Sequence, residues 1–258
     1  MTLELAEPTV VALLLGSIRV AAWLLIAPGL GAKWIPAPVR ALLSVALVLP
    51  VLPALAEHAP PPTTAALVSA ALVQVAVGAA MGFLTYIVFM AVQSAGDLID
   101  ISSGYSLASA FDPMSFQQNS VFGRLHQMIA MVLLFVLNLH LVLLRGVLTS
   151  FEALPLDAGP TSLPWDSLGA LLTDGIGRMF LAAVEIAGPL IAVLFLADVG
   201  LALLTRVAPS LNAFSIGFPV KMLVALLLVG MTFPMLPSVL DNLVGTGNKA
   251  VAAFLGLT

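Results

Sequence analysis

Six apolar stretches follow one another along the chain, at Val10–Ala27, Val39–Ala56, Ala65–Gln93, Leu125–Leu148, Met179–Leu204 and Phe214–Val239. A helix crossing a bilayer core needs roughly 20 apolar residues, with a range of about 17 to 25, so each stretch is long enough to span. Backbone groups in hydrocarbon must find hydrogen-bond partners within their own segment, and alternating runs of Val, Ile and Thr are few. The pattern therefore predicts an all-α, multi-helix integral membrane protein and not a barrel. The connecting segments APGLGAKWIPAP, EHAPPPTT, SSGYSLASAFDPMSFQQNS and LPLDAGPTSLPWD are rich in Gly, Pro, Ser and Asp and read as loops.

Composition agrees, because 61% of the 258 residues are hydrophobic, 9% are charged and the mean hydropathy is +1.14. A soluble core cannot hide that much apolar surface. The links are too short for a separate soluble domain, so a single membrane unit over 1–258 is expected. There is no cysteine, which excludes disulfides, thiolate chemistry and Cys-ligated metal. The opening MTLELAEPTV carries Glu4 and Glu7 and lacks the basic start of a cleaved signal, so the first stretch is expected to stay in the mature protein. A net charge of -4 with nine scattered cations leaves no basic patch for nucleic acid.

Charge placement adds two expectations. Lys33 and Arg40 at the first link, Arg124 at the third and Arg206 at the fifth, against cation-free second and fourth links, orient both termini away from the cytoplasm. Arg19, Glu185, Pro189, Asp198 and Lys221 fall well inside apolar stretches. A mid-bilayer charge costs about 2.5 to 3.5 kcal/mol on insertion scales, so such residues face protein or a watery cavity. This points to a subunit packed among others.

Candidate chemistry is sparse. His58, His126 and His140 have no metal-ligand spacing and read as surface or packing residues, so no metal or cofactor is expected. Asp97 and Asp100 share a helical face, either as a polar helix end entering a loop or as a proton relay. No nucleophile elbow, phosphate loop or dinucleotide fingerprint occurs, so no enzyme is indicated. Pro189 after Gly188 and Pro219 after Gly217 interrupt apolar runs as in broken transporter helices, which supports a proton-coupled permease as a rival; tight helix packing is the plainer account. The loop Ser102–Gly123 is too long to be idle and carries Tyr105, Leu107, Phe111, Met114, Phe116 and Phe122, which are costly to expose.

Two passages resemble the FliR family of flagellar export-gate subunits, related to the SctT proteins of virulence secretion. One is AGDLIDISSGYSLASAFDP followed by GRLHQMIAMVLLFVLNLHLVLLRGVLTSFEALPL, within Ala95–Leu156; the other is ADVGLALLTRVAPSLNAFSIGFPVKM, Ala197–Met222. The resemblance implies one FliR-like subunit joined to FliP-like and FliQ-like subunits in a helical assembly of hairpins. That assembly is raised toward the periplasm from the bacterial inner membrane at the flagellar basal body. It meets FlhB-like and FlhA-like export proteins and unfolded flagellar substrates, and contacts lipid. It also implies that the loop after the third stretch plugs the channel, with Tyr105, Leu107 and Phe111 as closing side chains and Met114 and Phe116 in the same plug. The chain departs from the family at Leu107 and Ala110, where aromatics are usual, and at Asp100, where glycine is usual. Residues Glu185–Pro234 are similar to FliQ, a proline-containing helix and a returning helix, with Pro209 in the link. Asp97, Glu185, Asp198, Arg206 and Lys221 are then assembly charges, and Pro189, Pro209, Gly217 and Pro219 helix-breaking positions. NAFSIGFPVK is closer to the flagellar than to the virulence form.

Overall fold

The computed structural model describes residues 7–29, 35–106, 120–162, 165–208 and 213–254. Every regular element among them is helical: α1 Glu7–Ile26, α2 Ala37–Val48, α3 Leu52–Ala56, α4 Thr64–Ser103, α5 Val121–Val136, α6 Leu139–Ala153, α7 Trp165–Val207, α8 Ala213–Leu228 and α9 Leu236–Phe254. By length and composition five helical stretches can cross a membrane, and six when α5 and α6 count as one span. The protein is an all-α, multi-pass membrane protein, as its hydropathy predicts.

Boundaries differ from the hydropathy reading in instructive ways. The third stretch does not end near Gln93, because Ala95 and Ile99 continue its buried side and α4 runs 40 residues to Ser103. At 1.5 Å per residue it is about 60 Å long, twice the thickness of a hydrocarbon core. Asp97 and Asp100 therefore lie in the last two turns of α4, just before the loop, as the helix-end reading has them. The fourth stretch is two helices, since Asn138 adopts φ 56°, a left-handed conformation that ends one helix and starts another.

Pro189 and Pro219 do not break their helices: α7 and α8 run through them. Each proline removes one backbone donor, but in an apolar setting leaving the helix would strand many more. Gly217 is likewise a packing position, because a Cβ there would lie 3.2 Å from Leu201 Cδ1 of α7. Pro209 lies outside the described residues.

The chain divides into two compact units. The first comprises residues 1–87, 138–176 and 243–258. Its core gathers Leu15, Trp23 and Leu24 of α1, Val73 and Val77 of α4, and Phe151 of α6. Gly78 and Gly82, four residues apart on α4, let α1 approach closely, as small-xxx-small pairs do in membranes. A Cβ at Gly78 would overlap the Arg19 carbonyl, and one at Gly82 would lie 2.8 Å from Ile26 Cβ. The second unit comprises residues 88–137 and 177–242. Its interior is built from Val92, Ala95 and Ile99 of α4, Phe122 and Leu134 of α5, and Ile186 and Leu194 of α7. Here α7 and α8 form an antiparallel hairpin, with Asp198 opposite Lys221 and Leu201 against Gly217.

Candidate functional site

In the second unit the two ends of the long loop are fastened together. Ser120 begins α5 as its N-cap, its hydroxyl accepting from the Gly123 amide at 2.9 Å. That hydroxyl donates in turn to Asp100 Oδ2 at 2.5 Å. The same carboxylate accepts from the Phe122 amide at 3.0 Å and, at the edge of bonding distance, from the Gly123 amide at 3.4 Å. A buried acid on α4 thus neutralises the positive start of α5, where unpaired backbone donors gather. Of the two readings of Asp97 and Asp100, Asp100 fits a polar helix end entering the loop, in the last turn of α4, buried there at 2% exposure with its carboxylate engaged as a cap.

Close packing supports the fastening. A Cβ on Gly96 would overlap the Phe122 carbonyl and lie 2.5 Å from the Gly123 nitrogen, so α4 and the start of α5 touch through backbone. Gly104 ends α4 at φ 89°, a conformation that favours glycine, with the Phe218 ring filling the space a Cβ would need. Tyr105 then packs edge-on against Phe122, ring centres 5.1 Å apart. One oxygen of Asp97, Oδ1, is buried beside Gly123 without a hydrogen-bond partner. His126 is a packing histidine: Nδ1 lies 2.8 Å from the Phe122 carbonyl and Nε2 3.0 Å from the Thr232 hydroxyl.

Of the residues expected to plug a channel, the structure places Tyr105 at this base; Leu107, Phe111, Met114 and Phe116 lie outside the described residues. Of the expected assembly charges, Lys221 meets Asp198 at 2.9 Å across the α7–α8 hairpin. Arg206 is exposed in the last turn of α7, where a cation complements the helix dipole. Glu185 is exposed mid-helix and has no ion-pair partner among the described residues.

Sequence reasoning missed two features. It expected Arg19 to face protein or a watery cavity without naming its partners, which the structure supplies within the first unit. Its Nε donates to Gln74 Oε1 at 2.7 Å, and its terminal nitrogens to the Ser150 carbonyl at 2.8 Å and the Leu154 carbonyl at 2.6 Å. Those carbonyls end α6, so the cation is balanced by a helix C-terminus. The second is the N-cap at Ser120, which was legible as a serine directly before an apolar helical run.

Alanine in place of Asp100 is expected to cost about 1–2 kcal/mol, the usual worth of a cap. Hydrogen exchange should show it as faster exchange at the Phe122 and Gly123 amides, while α1 and α6 stay protected.

Against known families, residues 10–247 match the model for bacterial export proteins, family 1. The chain belongs to that family. Among individual relatives of this export protein, the flagellar biosynthetic protein FliR of Escherichia coli is 30% identical over 226 residues, 88% of this chain and 85% of its own length. The FliR of Bacillus subtilis is 30% identical over 153 residues, 59% of each chain. The surface presentation of antigens protein SpaR of Salmonella typhimurium is 32% identical over 226 residues, 86% of this chain and 83% of its own. Proteins named for flagellar biosynthesis and one named for surface presentation of antigens are thus both among its relatives.

Proposed function

We propose that this export protein is the FliR-like subunit of a flagellar export gate in the bacterial inner membrane, assembled with FliP-like and FliQ-like subunits and served by FlhB-like and FlhA-like proteins. The observation that carries this reading is the family match across nearly the whole chain, including both passages that resemble FliR. Its role is mechanical: a closed conduit opens for unfolded flagellar subunits, and no bond is made or broken by this chain. The loop 102–123 is the closing element, with Tyr105, Leu107, Phe111, Met114 and Phe116 as its plug residues. Support comes from the fastening of both its ends by Asp100, Ser120 and Gly96, a base that holds a loop in register. Apolar side chains suit such a closure, since they exclude water and bind no particular substrate sequence strongly.

Mild-detergent purification of the tagged chain from its host, with mass spectrometry of what accompanies it, tests the assembly. Recovery of FliP-like and FliQ-like proteins is expected; a stable chain that purifies alone overturns the proposal. For the closure, Tyr105→Ala with Phe111→Ala is expected to raise ion leakage across the membrane while the complex still assembles. An ion-tight, fully assembled double variant removes the loop from the seal.

A second reading follows from the likeness to SpaR, in which the gate serves a virulence-type system. Deletion of the chain separates the two: loss of motility supports the flagellar gate, whereas intact motility with lost secretion of other proteins supports the second.

A further inference from the structure

The last apolar stretch changes character at Met231. Along α8 and the 3-10 turn Val229–Met231 that continues it, large apolar side chains stand exposed at Val220, Leu223, Leu226, Leu227 and Met231, Leu227 at 70% and Met231 at 69%. Among the described residues from Thr232 onward, no large apolar side chain is exposed. Helix α9 is two-faced instead. Leu236, Leu240, Val244 and Val251 are buried, recurring after four, four and seven residues on one side. Ser238, Asp241, Asn242 and Lys249 are exposed on the other, together with Gly245, where an added Cβ would meet nothing within 4 Å.

What lies against that second side follows from its chemistry. Hydrocarbon does not suit it, because Asp241 and Lys249 are costly there and no apolar side chain is turned outward to meet lipid tails. Another protein chain suits it poorly, since Ser, Asp and Lys are residues that buried interfaces shed. Nor does α9 rest on lipid by its apolar side, which the chain's own interior already fills. Water remains. Length agrees: Ala213–Met231 runs about 30 Å, the thickness of a hydrocarbon core, so the chain has crossed by the point where its exposed residues turn polar. Pro234 and Pro237 stand at that point, where a missing backbone donor is cheapest. We infer that the membrane span of the last stretch ends at Met231 and that the polar side of α9 is an aqueous surface of the protein. The last helix is then a face that water-soluble molecules can reach, and not a membrane anchor. This goes beyond the export-gate reading and does not depend on it, since it follows from the exposure pattern and the membrane class alone.

The full chain in its native host supplies the test, because a chain without cysteine takes single reporter thiols with no background. Asn242→Cys and Gly245→Cys probe the polar side of α9, Val239→Cys its buried side, 8% exposed, and Leu227→Cys the exposed apolar side of α8. A charged, membrane-impermeant maleimide is applied to right-side-out and to inverted membrane vesicles. Maleimide reacts with the thiolate, which forms in water and not in hydrocarbon, so the two polar-side thiols are expected to label from one side about tenfold or more faster than the other two. Labelling as slow as at Leu227 from both sides overturns the inference, whether lipid or another chain covers α9. Labelling of Leu227→Cys as fast as of Asn242→Cys overturns it too, since Met231 then marks no change of surroundings. Arginine variants guard against a cysteine variant that fails to fold. Asn242→Arg is expected in membranes in the wild-type amount and Leu227→Arg in a several-fold smaller amount. Equal loss of both puts α9 in hydrocarbon and overturns the inference. The export-gate reading stands or falls separately, on what purifies with the chain.

Discussion

Alanine at Arg19 is expected to destabilise the chain by about 4 kcal/mol or more, the largest single-site effect in the first unit. The side chain is fully buried, and its guanidinium also lies over the Phe151 ring, 4.2 Å from its centre. Removing it strands the Leu154 carbonyl and the Gln74 oxygen, while the Ser150 carbonyl keeps only the Leu154 amide, and a buried acceptor without a partner costs about 1–3 kcal/mol. The cavity left against Phe151 adds to that loss. Methionine fills the space but leaves the acceptors bare, and lysine keeps the charge but lacks the planar fork that serves α4 and α6 together. The expected order of stability is therefore arginine, then lysine or methionine, then alanine. Thermal unfolding in detergent checks it, followed by tryptophan fluorescence with Trp34→Phe and Trp165→Phe, so that Trp23, buried on the same helix and donating to Thr85 at 3.2 Å, is the reporter. If alanine unfolds with the wild-type profile, the guanidinium is not what joins α1, α4 and α6.

The second large effect is expected from Gly96→Ala. A methyl group there meets backbone, the Phe122 carbonyl and the Gly123 nitrogen, and backbone cannot rotate away as a side chain can. Overpacking of this kind costs about 1–3 kcal/mol. The two amides that Asp100 caps lie at the point of collision, so relief of the clash breaks the cap and adds its worth. Gly177→Ala on α7 is the control, because its Cβ would meet nothing within 4 Å and alanine favours helix. Hydrogen exchange at Phe122 and Gly123 is expected to quicken in Gly96→Ala and to stay unchanged in Gly177→Ala. Equal exchange in the two variants means that the start of α5 is held by something other than its contact with α4.

Much of the candidate site was open to reading from residues, but not its contacts. The long apolar-rich loop, Asp97 and Asp100 before it, and Ser120 at its far end are all visible in the sequence. That Asp100 reaches across 20 positions to bond Ser120 is not, because a cap normally comes from the residue beside the helix it serves. Gly96 is one of 20 glycines, and nothing local separates it from Gly177. The prolines misled for a related reason. Their effect on a helix depends on what else could bond the freed carbonyl, and for Pro189 and Pro219 an apolar environment keeps the helix intact.

The sequence alone determined the helical class, the membrane-spanning lengths and the family, because hydropathy sums over neighbouring residues and motifs are read in order. Tertiary structure decided which charges are satisfied within the chain. Arg19 and Lys221 look alike as cations in apolar stretches, yet one ends on the carbonyls of a helix terminus and the other on a carboxylate, while Glu185 on α7 is left open. That choice depends on which faces meet when helices distant in sequence pack, and no sum over local positions contains it.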